Sequence, residues 1–276
     1  MKHLKAKITI GLIVAVAVAI YIFASANKVL AAGIVVAIAV VLFALYKFVK
    51  YMFSAYFKST KESYFKVLFN KEHALRYNIF KKFNKKLPGM KMVLCDVYMP
   101  KVDGTAAKAD MILFNETGVY VIDAKPYIGR VAGAEQGKEW TYTKGGKTEN
   151  IPNPMIWNKL YMNWLKSYTA KEAPNAKYYS YVVYNAGCKI KDITFKNYIG
   201  TVATRTTLSK EIAISVARMG TSLAPSEMDF AFDKLKALKD ENTAKGIDDV
   251  QGIQETIFYD MKKEVNEYDY KNPDLE

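Results

Sequence analysis

Two runs near the start of the chain, Ile8–Ala24 and Val29–Tyr46, are almost wholly apolar and contain no acid or base. They have 17 and 18 residues, which reaches the roughly 17–25 that a membrane-spanning helix needs. A cleaved signal peptide competes for the first run, which has a basic start and the small-residue stretch Ala24-Ser-Ala26. Only Ser25-Ala-Asn-Lys28 separates the two runs, and so short a turn favours a retained two-helix transmembrane hairpin. Lys2, Lys5 and Lys7 precede the first run, Lys47, Lys50, Lys58 and Lys61 follow the second, and Lys28 stands alone between them. Basic flanks favour the cytoplasmic side, so both flanks and the remaining chain are expected inside the cell, on a membrane crossed more than once. From Lys50 to Phe69, aromatic residues such as Tyr51, Phe53, Tyr56 and Phe65 mix with lysines. That mixture suits a helix lying on anionic lipid; a nucleic-acid stacking surface would use the same residue types.

Beyond this point the pattern alternates between helical and extended periods. Ala74, Leu75, Ile79, Phe80 and Phe83 recur at three- and four-residue steps, predicting a helix over Lys71–Lys86 that stops at Leu87-Pro-Gly89. Glu72 falls in its first turn, where the helix dipole favours an acid. Met92–Met99 reads as a strand and Pro100–Ala107 as a loop. Asp110–Phe114 and Val119–Ala124 form a hairpin about Asn115-Glu-Thr-Gly118. Short strands are expected at Ile128–Gly133 and Glu139–Tyr142, with a tight turn at Lys144-Gly-Gly-Lys147. Asn153 caps a helix that starts at Pro154 and runs to Tyr168 with Ile156, Leu160, Trp164 and Leu165 on its apolar face. Tyr178–Tyr184 and Tyr198–Ala203 are strand-like. Helices follow at Thr206–Met219, Ser226–Lys239 and Asp248–Val265, before a polar tail, Asn266–Glu276. The expected layout is 1–49 transmembrane, 50–70 basic and aromatic, 71–205 an α/β domain, and 206–276 helical.

Charge changes the picture once it is partitioned. The 276-residue chain has a net charge of +13. Residues 1–70 carry nine lysines and one acid, Glu62, for +8, leaving +5 over residues 71–276. Much of the basicity therefore belongs to membrane topology, and the soluble part is only mildly basic, compatible with nucleic acid without being diagnostic of it. Cys95 and Cys188 fit neither a metal-ligand spacing nor a disulfide framework and read as reduced thiols. With only His3 and His73, a histidine-ligated zinc site and a histidine triad are both excluded. His73 reads as a helix-surface residue.

The candidate chemistry sits on the hairpin. Asp123 and Lys125 are two apart on one strand and so point to one face. The turn folds Asp110, from the other strand, back towards them. Two carboxylates and an ammonium at the end of apolar strands are costly to bury without a compensating partner such as a divalent ion. The competing account leaves all three in water as ordinary strand-end charges.

The order of elements and the residues on them resemble the nuclease-related domain (NERD) family, within the restriction-endonuclease-like superfamily defined by Asp…(Asp/Glu)-x-Lys. The resemblance runs from about Lys71 to Tyr184. It rests on Asp96-Val-x-Met-Pro100, Ala109-Asp-Met-Ile-Leu113, Gly118-Val-Tyr-Val-Ile-Asp-Ala-Lys125, Gly129-Arg-Val-x-Gly133, Trp140 and Asn153-Pro154, in that order. It implies an α/β fold, a restriction-endonuclease-like mixed sheet flanked by helices, here preceded by the transmembrane hairpin. Asp110 and Asp123 would bind Mg²⁺ (or Mn²⁺) with the main-chain carbonyl of Ala124, and Glu72 would reach in as a further ligand. Lys125 would orient or deprotonate the attacking water and offset phosphate charge. Lys108 and Pro126 replace the acid or small polar residue and the Asn usual in the family, and Trp157 and Asn158 stand where a Gln often follows Asn-Pro.

The expected function is metal-dependent hydrolysis of nucleic acid, DNA ahead of RNA, by a membrane-anchored nuclease at the cytoplasmic face. The alternative is a catalytically inactive module of the same fold that binds nucleic acid or a protein partner at the membrane. A scaffold with no metal dependence is the third reading.

Overall fold

The computed structural model describes residues 28–100, 106–194, 200–218 and 220–244, together with residues 11, 14–18 and 21. The chain divides into two units, Met1–Lys58 and Ser59–Glu276. In the first, helix α1 (Lys28–Met52) covers the whole second apolar run. Its stretch Ala32–Met52 is long and apolar enough to cross a membrane, a test that an N-terminal signal sequence also passes. Val36, Val40, Val41 and Phe43 on it are exposed. The first apolar run lies mostly outside the described residues; residues 11, 14–18 and 21 of it are helical. One candidate span, not a pair, is thus on view. The helices expected at Asp248–Val265 and the tail after it also lie outside the described residues.

The juxtamembrane stretch is not one helix. It breaks into α2 (Ala55–Thr60) and α3 (Tyr64–Phe69). Lys61, in the left-handed region at φ 56°, interrupts them, a conformation that an L-residue does not propagate. Helix α4 (Lys71–Lys86) follows, with Asn70 accepting hydrogen bonds from the Glu72 and His73 amides as its N-cap.

Two mixed sheets make up the core of the second unit. The first joins β1 (Lys91–Pro100), β2 (Ala106–Asn115), β3 (Gly118–Lys125), β7 (Tyr178–Tyr184) and β9 (Thr201–Thr204) in the order β1-β2-β3-β7-β9. Its first three strands are antiparallel, and β3, β7 and β9 run parallel. The second joins β4 (Gly129–Ala134), β5 (Glu139–Lys144), β6 (Lys147–Pro152) and β8 (Cys188–Thr194) in the order β6-β5-β4-β8. Strands β1 and β2 extend into the stretch read as a loop, pairing Met99 with Ala107 and Pro100 with Ala106. Strands β6 and β8 carry too few apolar residues for pattern alone to reveal them.

Helix α5 (Pro154–Tyr168) begins where Asn153 and Pro154 predict. Its buried face is rotated from the apolar stripe. Met155, Trp157, Asn158 and Leu165 are buried, and Ile156, Leu160 and Trp164 are only half-buried. The cause is Asn158, whose amide nitrogen lies 2.9 Å from Val121 O, 2.9 Å from Ser180 Oγ and 3.1 Å from Tyr181 O. A polar side chain thereby ties the helix across β3 and β7. Helix α7 (Pro225–Ala244) joins α5 on this face of the sheet, its Met228, Ala231 and Leu235 packing with Leu94, Ile112 and Val121. On the other face Phe83 of α4 sets its ring edge-on against Tyr120 and Tyr181, each 5.2 Å away. Helix α6 (Leu208–Arg218) is tied to the same Tyr181 through Ser215.

The β2–β3 turn is anchored from within. Buried Asn115 donates to the carbonyls of Pro88 and Met90 and accepts from Thr117. Gly118 adopts φ 144°, and a Cβ there would run into the Lys177 carbonyl. The hairpin that carries the charges is therefore pinned at its far end to the close of α4.

Candidate active site

Strand register puts three carboxylates on neighbouring strands. Pairs Cys95↔Met111 and Val97↔Ala109 bracket Asp96 opposite Asp110, and Met111↔Ile122 is the last β2–β3 pair before Asp110 and Asp123. Beyond that pair the Asp110 carboxylate takes over from the backbone ladder: its Oδ2 accepts the Ala124 amide at 2.9 Å. Asp96 holds a left-handed backbone, φ 54°, which Asp tolerates better than a branched residue.

Arg76, one turn into α4, is the hub. It is 1% exposed and grips Asp96 with both terminal nitrogens, at 2.7 and 2.9 Å. It also pairs with Glu72 one turn back, and stands 3.7 Å from Asp110 and 3.9 Å from Glu62. Lys108 faces the same carboxylates from β2, at 3.2 Å from Asp96 and 3.6 Å from both Glu72 and Asp110. The second cluster is Asp123 with Lys125, 2.9 Å apart. The Asp110 and Asp123 carboxyls lie within hydrogen-bond reach of each other, so the two clusters meet.

The electrostatics split the carboxyl pair. Burial pushes Asp123 up, and its closeness to Asp110 adds to this against the pull of Lys125, to about 7. Asp110 is just as buried, but Arg76, Lys125 and Lys108 outweigh burial and hold it below the usual carboxylate range. Burial likewise opposes the charge on Lys125, and Asp123 and Asp110 overcome it, raising the ammonium above its ordinary value. Two like charges this close do not both ionise freely without a counter-ion. That is the condition a hard cation relieves.

A cavity of about 400 Å³ opens at this point, lined by Glu72, Lys108, Asp110, Asp123, Ala124, Lys125, Pro126, Tyr127, Ile151, Pro152, Pro154, Trp157 and Tyr161. Every site residue expected from the sequence lies on its wall. The sequence matches the model of the family described as nuclease-related domain over residues 71–185. Residues 71–185 are thus similar to a nuclease-related domain. No curated protein and no solved structure matches the chain.

The mixed, helix-flanked sheet built on the matched residues is consistent with a restriction-endonuclease-like placement. Its departures from the family pattern sort by position. Lys108, Pro126 and Trp157 line the cavity, whereas Asn158 is buried beneath it as a structural tie. Among the described residues no three acidic, histidine or cysteine side chains are gathered closely enough to hold an ion by themselves. Asp110 and Asp123 with main chain at Ala124, completed by water, are the donors that could hold a hard divalent ion here. Glu72 shares the cavity, but its carboxylate is engaged by Arg76 and Lys108.

Sequence reasoning missed Arg76 as a site residue and placed Asp96 on the preceding strand without a role. An Arg four residues after a helix-opening Glu is an ordinary surface pair; only tertiary packing shows that it is sealed. Tyr184, paired in register with Lys125, was read only as strand. Its hydroxyl is buried with no hydrogen-bond partner among the described residues.

Proposed function

We infer that the chain is a membrane-anchored nuclease that hydrolyses phosphodiester bonds of nucleic acid with a divalent ion, Mg²⁺ or Mn²⁺. The observation that carries this reading is the meeting of Asp110, Asp123 and Lys125 in one cavity within a nuclease-related domain. When bound, such an ion polarises the phosphoryl oxygen and acidifies a water. Asp110 and Asp123 are the groups to hold it, with the Ala124 amide fixing Asp110 in place. Lys125, kept charged by Asp123 and Asp110, suits the task of offsetting the charge that builds on the phosphate. Tyr127, Pro126 and Trp157 give the cavity an apolar wall that limits water around the reacting centre.

Helix length supports the anchoring. Ala32–Met52 has 21 residues, about 31 Å of helix at 1.5 Å per residue, against a hydrocarbon core of about 30 Å. Together with the run at 8–24 it would form a hairpin, and the basic flanks put the nuclease-related domain in the cytoplasm.

The test is cleavage of DNA and RNA by the full chain in detergent, with and without Mg²⁺ or Mn²⁺. Metal-dependent cleavage is expected, with DNA the better substrate. Asp123→Ala and Lys125→Ala should each abolish it while circular dichroism stays unchanged. Equal, metal-insensitive background in wild type and variants would overturn catalysis and leave the alternative, a nuclease-fold module that only binds. A reporter fused after residue 276 should lie in the cytoplasm; an external reporter would overturn the topology.

A further inference from the structure

The Lys108 ammonium lies among three carboxylates, Asp96 at 3.2 Å and Glu72 and Asp110 at 3.6 Å. The carboxylates come from three elements, α4, β1 and β2, so no local sequence pattern brings them together. The two oxygens of Asp110 are turned to different duties. Its Oδ1 faces Lys108 and Arg76, and its Oδ2 accepts the Ala124 amide, while the carboxyl as a whole lies within reach of Asp123. Asp110 is therefore shared between a position occupied by an ammonium and a position suited to an ion. In two-ion phosphodiester sites, two divalent ions stand roughly 3.5–4 Å apart, and a carboxylate reaching both is the simplest way to hold them.

We propose that Lys108 is a built-in cation that takes the place of a second divalent ion: with Arg76 it offsets the charge of Glu72, Asp96 and Asp110, and it confines the site to one exchangeable ion at Asp110 and Asp123. This deepens the nuclease reading and rests on it only for that one ion. Arg76 does not fill the same role, because it is sealed at 1% exposure, whereas Lys108 stands on the cavity wall. Removing the Lys108 charge leaves Glu72 and Asp110 on the cavity wall with Asp96 beside them, and Arg76 as the one cation among the described residues that faces all three. The place of the ammonium, with carboxylate oxygens 3.2–3.6 Å around it, then suits a divalent cation that keeps its own waters to complete the shell. Lys108 is thus a positioning residue, fixing how many ions the substrate phosphate meets.

The experiment counts bound Mn²⁺ by loss of the free-ion paramagnetic resonance signal, using the full chain in a neutral detergent. Wild type should bind one ion per chain, Lys108→Met two, and Lys108→Arg one. One ion in both wild type and Lys108→Met overturns the role of Lys108 and leaves the nuclease reading standing. Two ions in wild type also overturn it. No ion in wild type sinks the Asp110–Asp123 ion site; in that case one ion in Lys108→Met still supports Lys108 as the resident cation, and none refutes both. Should Lys108→Met be poorly folded without metal, its melting temperature along a Mn²⁺ series decides. A gain larger than that of wild type supports the proposal, and an equal or smaller gain overturns it.

Discussion

Arg76→Met is the sharpest probe of how this domain is held together. Methionine keeps most of the side-chain volume and removes the charge. Deleting one member of a buried ion pair costs about 3–5 kcal/mol, because the surviving charge is left without a partner. The structure sets the value within that range. Asp96 and Glu72 are 33% and 37% exposed and recover part of their solvation, and Lys108 remains near both. Asp110, 13% exposed, is the charge left worst off. The low end, about 3 kcal/mol, is therefore expected, or roughly 6–12 °C in melting temperature at about 2–4 °C per kcal/mol for a domain of this size. In wild type Arg76 holds Asp96 and Asp110 below the usual carboxylate range against their burial. That contribution is fully present above the ordinary carboxylate pKa and fades as pH falls through the lowered values. The gap between variant and wild type should thus be full at neutral pH and close on acidification. Urea unfolding read by tryptophan fluorescence measures it, since Trp140, Trp157 and Trp164 all lie in the second unit. A gap under about 1 kcal/mol at neutral pH, or one that does not shrink as pH falls below about 4, would refute the hub assignment.

Two further tests use the same unfolding assay. Asn158→Ala removes the donor that serves Val121, Ser180 and Tyr181 and should cost about 1–3 kcal/mol. Asn158→Asp should cost more, because a carboxylate would face two carbonyls; an Asp variant as stable as the Ala variant contradicts that account. Asp123, pushed up to about 7 by burial and by Asp110, binds its proton more tightly folded than unfolded. In chelator, wild type should lose up to about 1.4 kcal/mol per pH unit from the ordinary carboxylate range up to about pH 7. Asp123→Asn should lack that slope; an identical slope in both would remove Asp123 as its source.

The elements of this protein were legible where a local rule set them. Helix α4 follows a clean three-four period, α5 begins at an N-cap asparagine and an N1 proline, and the β2–β3 hairpin is two β-branched runs about a glycine turn. The meeting of Asp110, Asp123 and Lys125 was legible for a related reason, since Asp123 and Lys125 share a face by strand alternation and Asp110 sits just past the last rung of the adjoining strand. What the pattern did not convey is polar burial. Asn158 reads as a surface residue on α5, yet it turns the helix's buried face by bonding to two strands at once. Strands β6 and β8 depend on neighbours for pairing more than on their own apolar content.

Sequence alone determined the apolar runs at the start, the order of helices and strands, and the identity of three charges at the end of a hairpin. Tertiary structure alone decided that Arg76 is sealed among carboxylates from α4, β1 and β2, that Lys108 joins it, and that Tyr184 is buried beside Lys125. The physical reason is range. Periodicity and capping act over one turn or one strand, whereas the balance of buried charge is a sum over residues far apart in the chain.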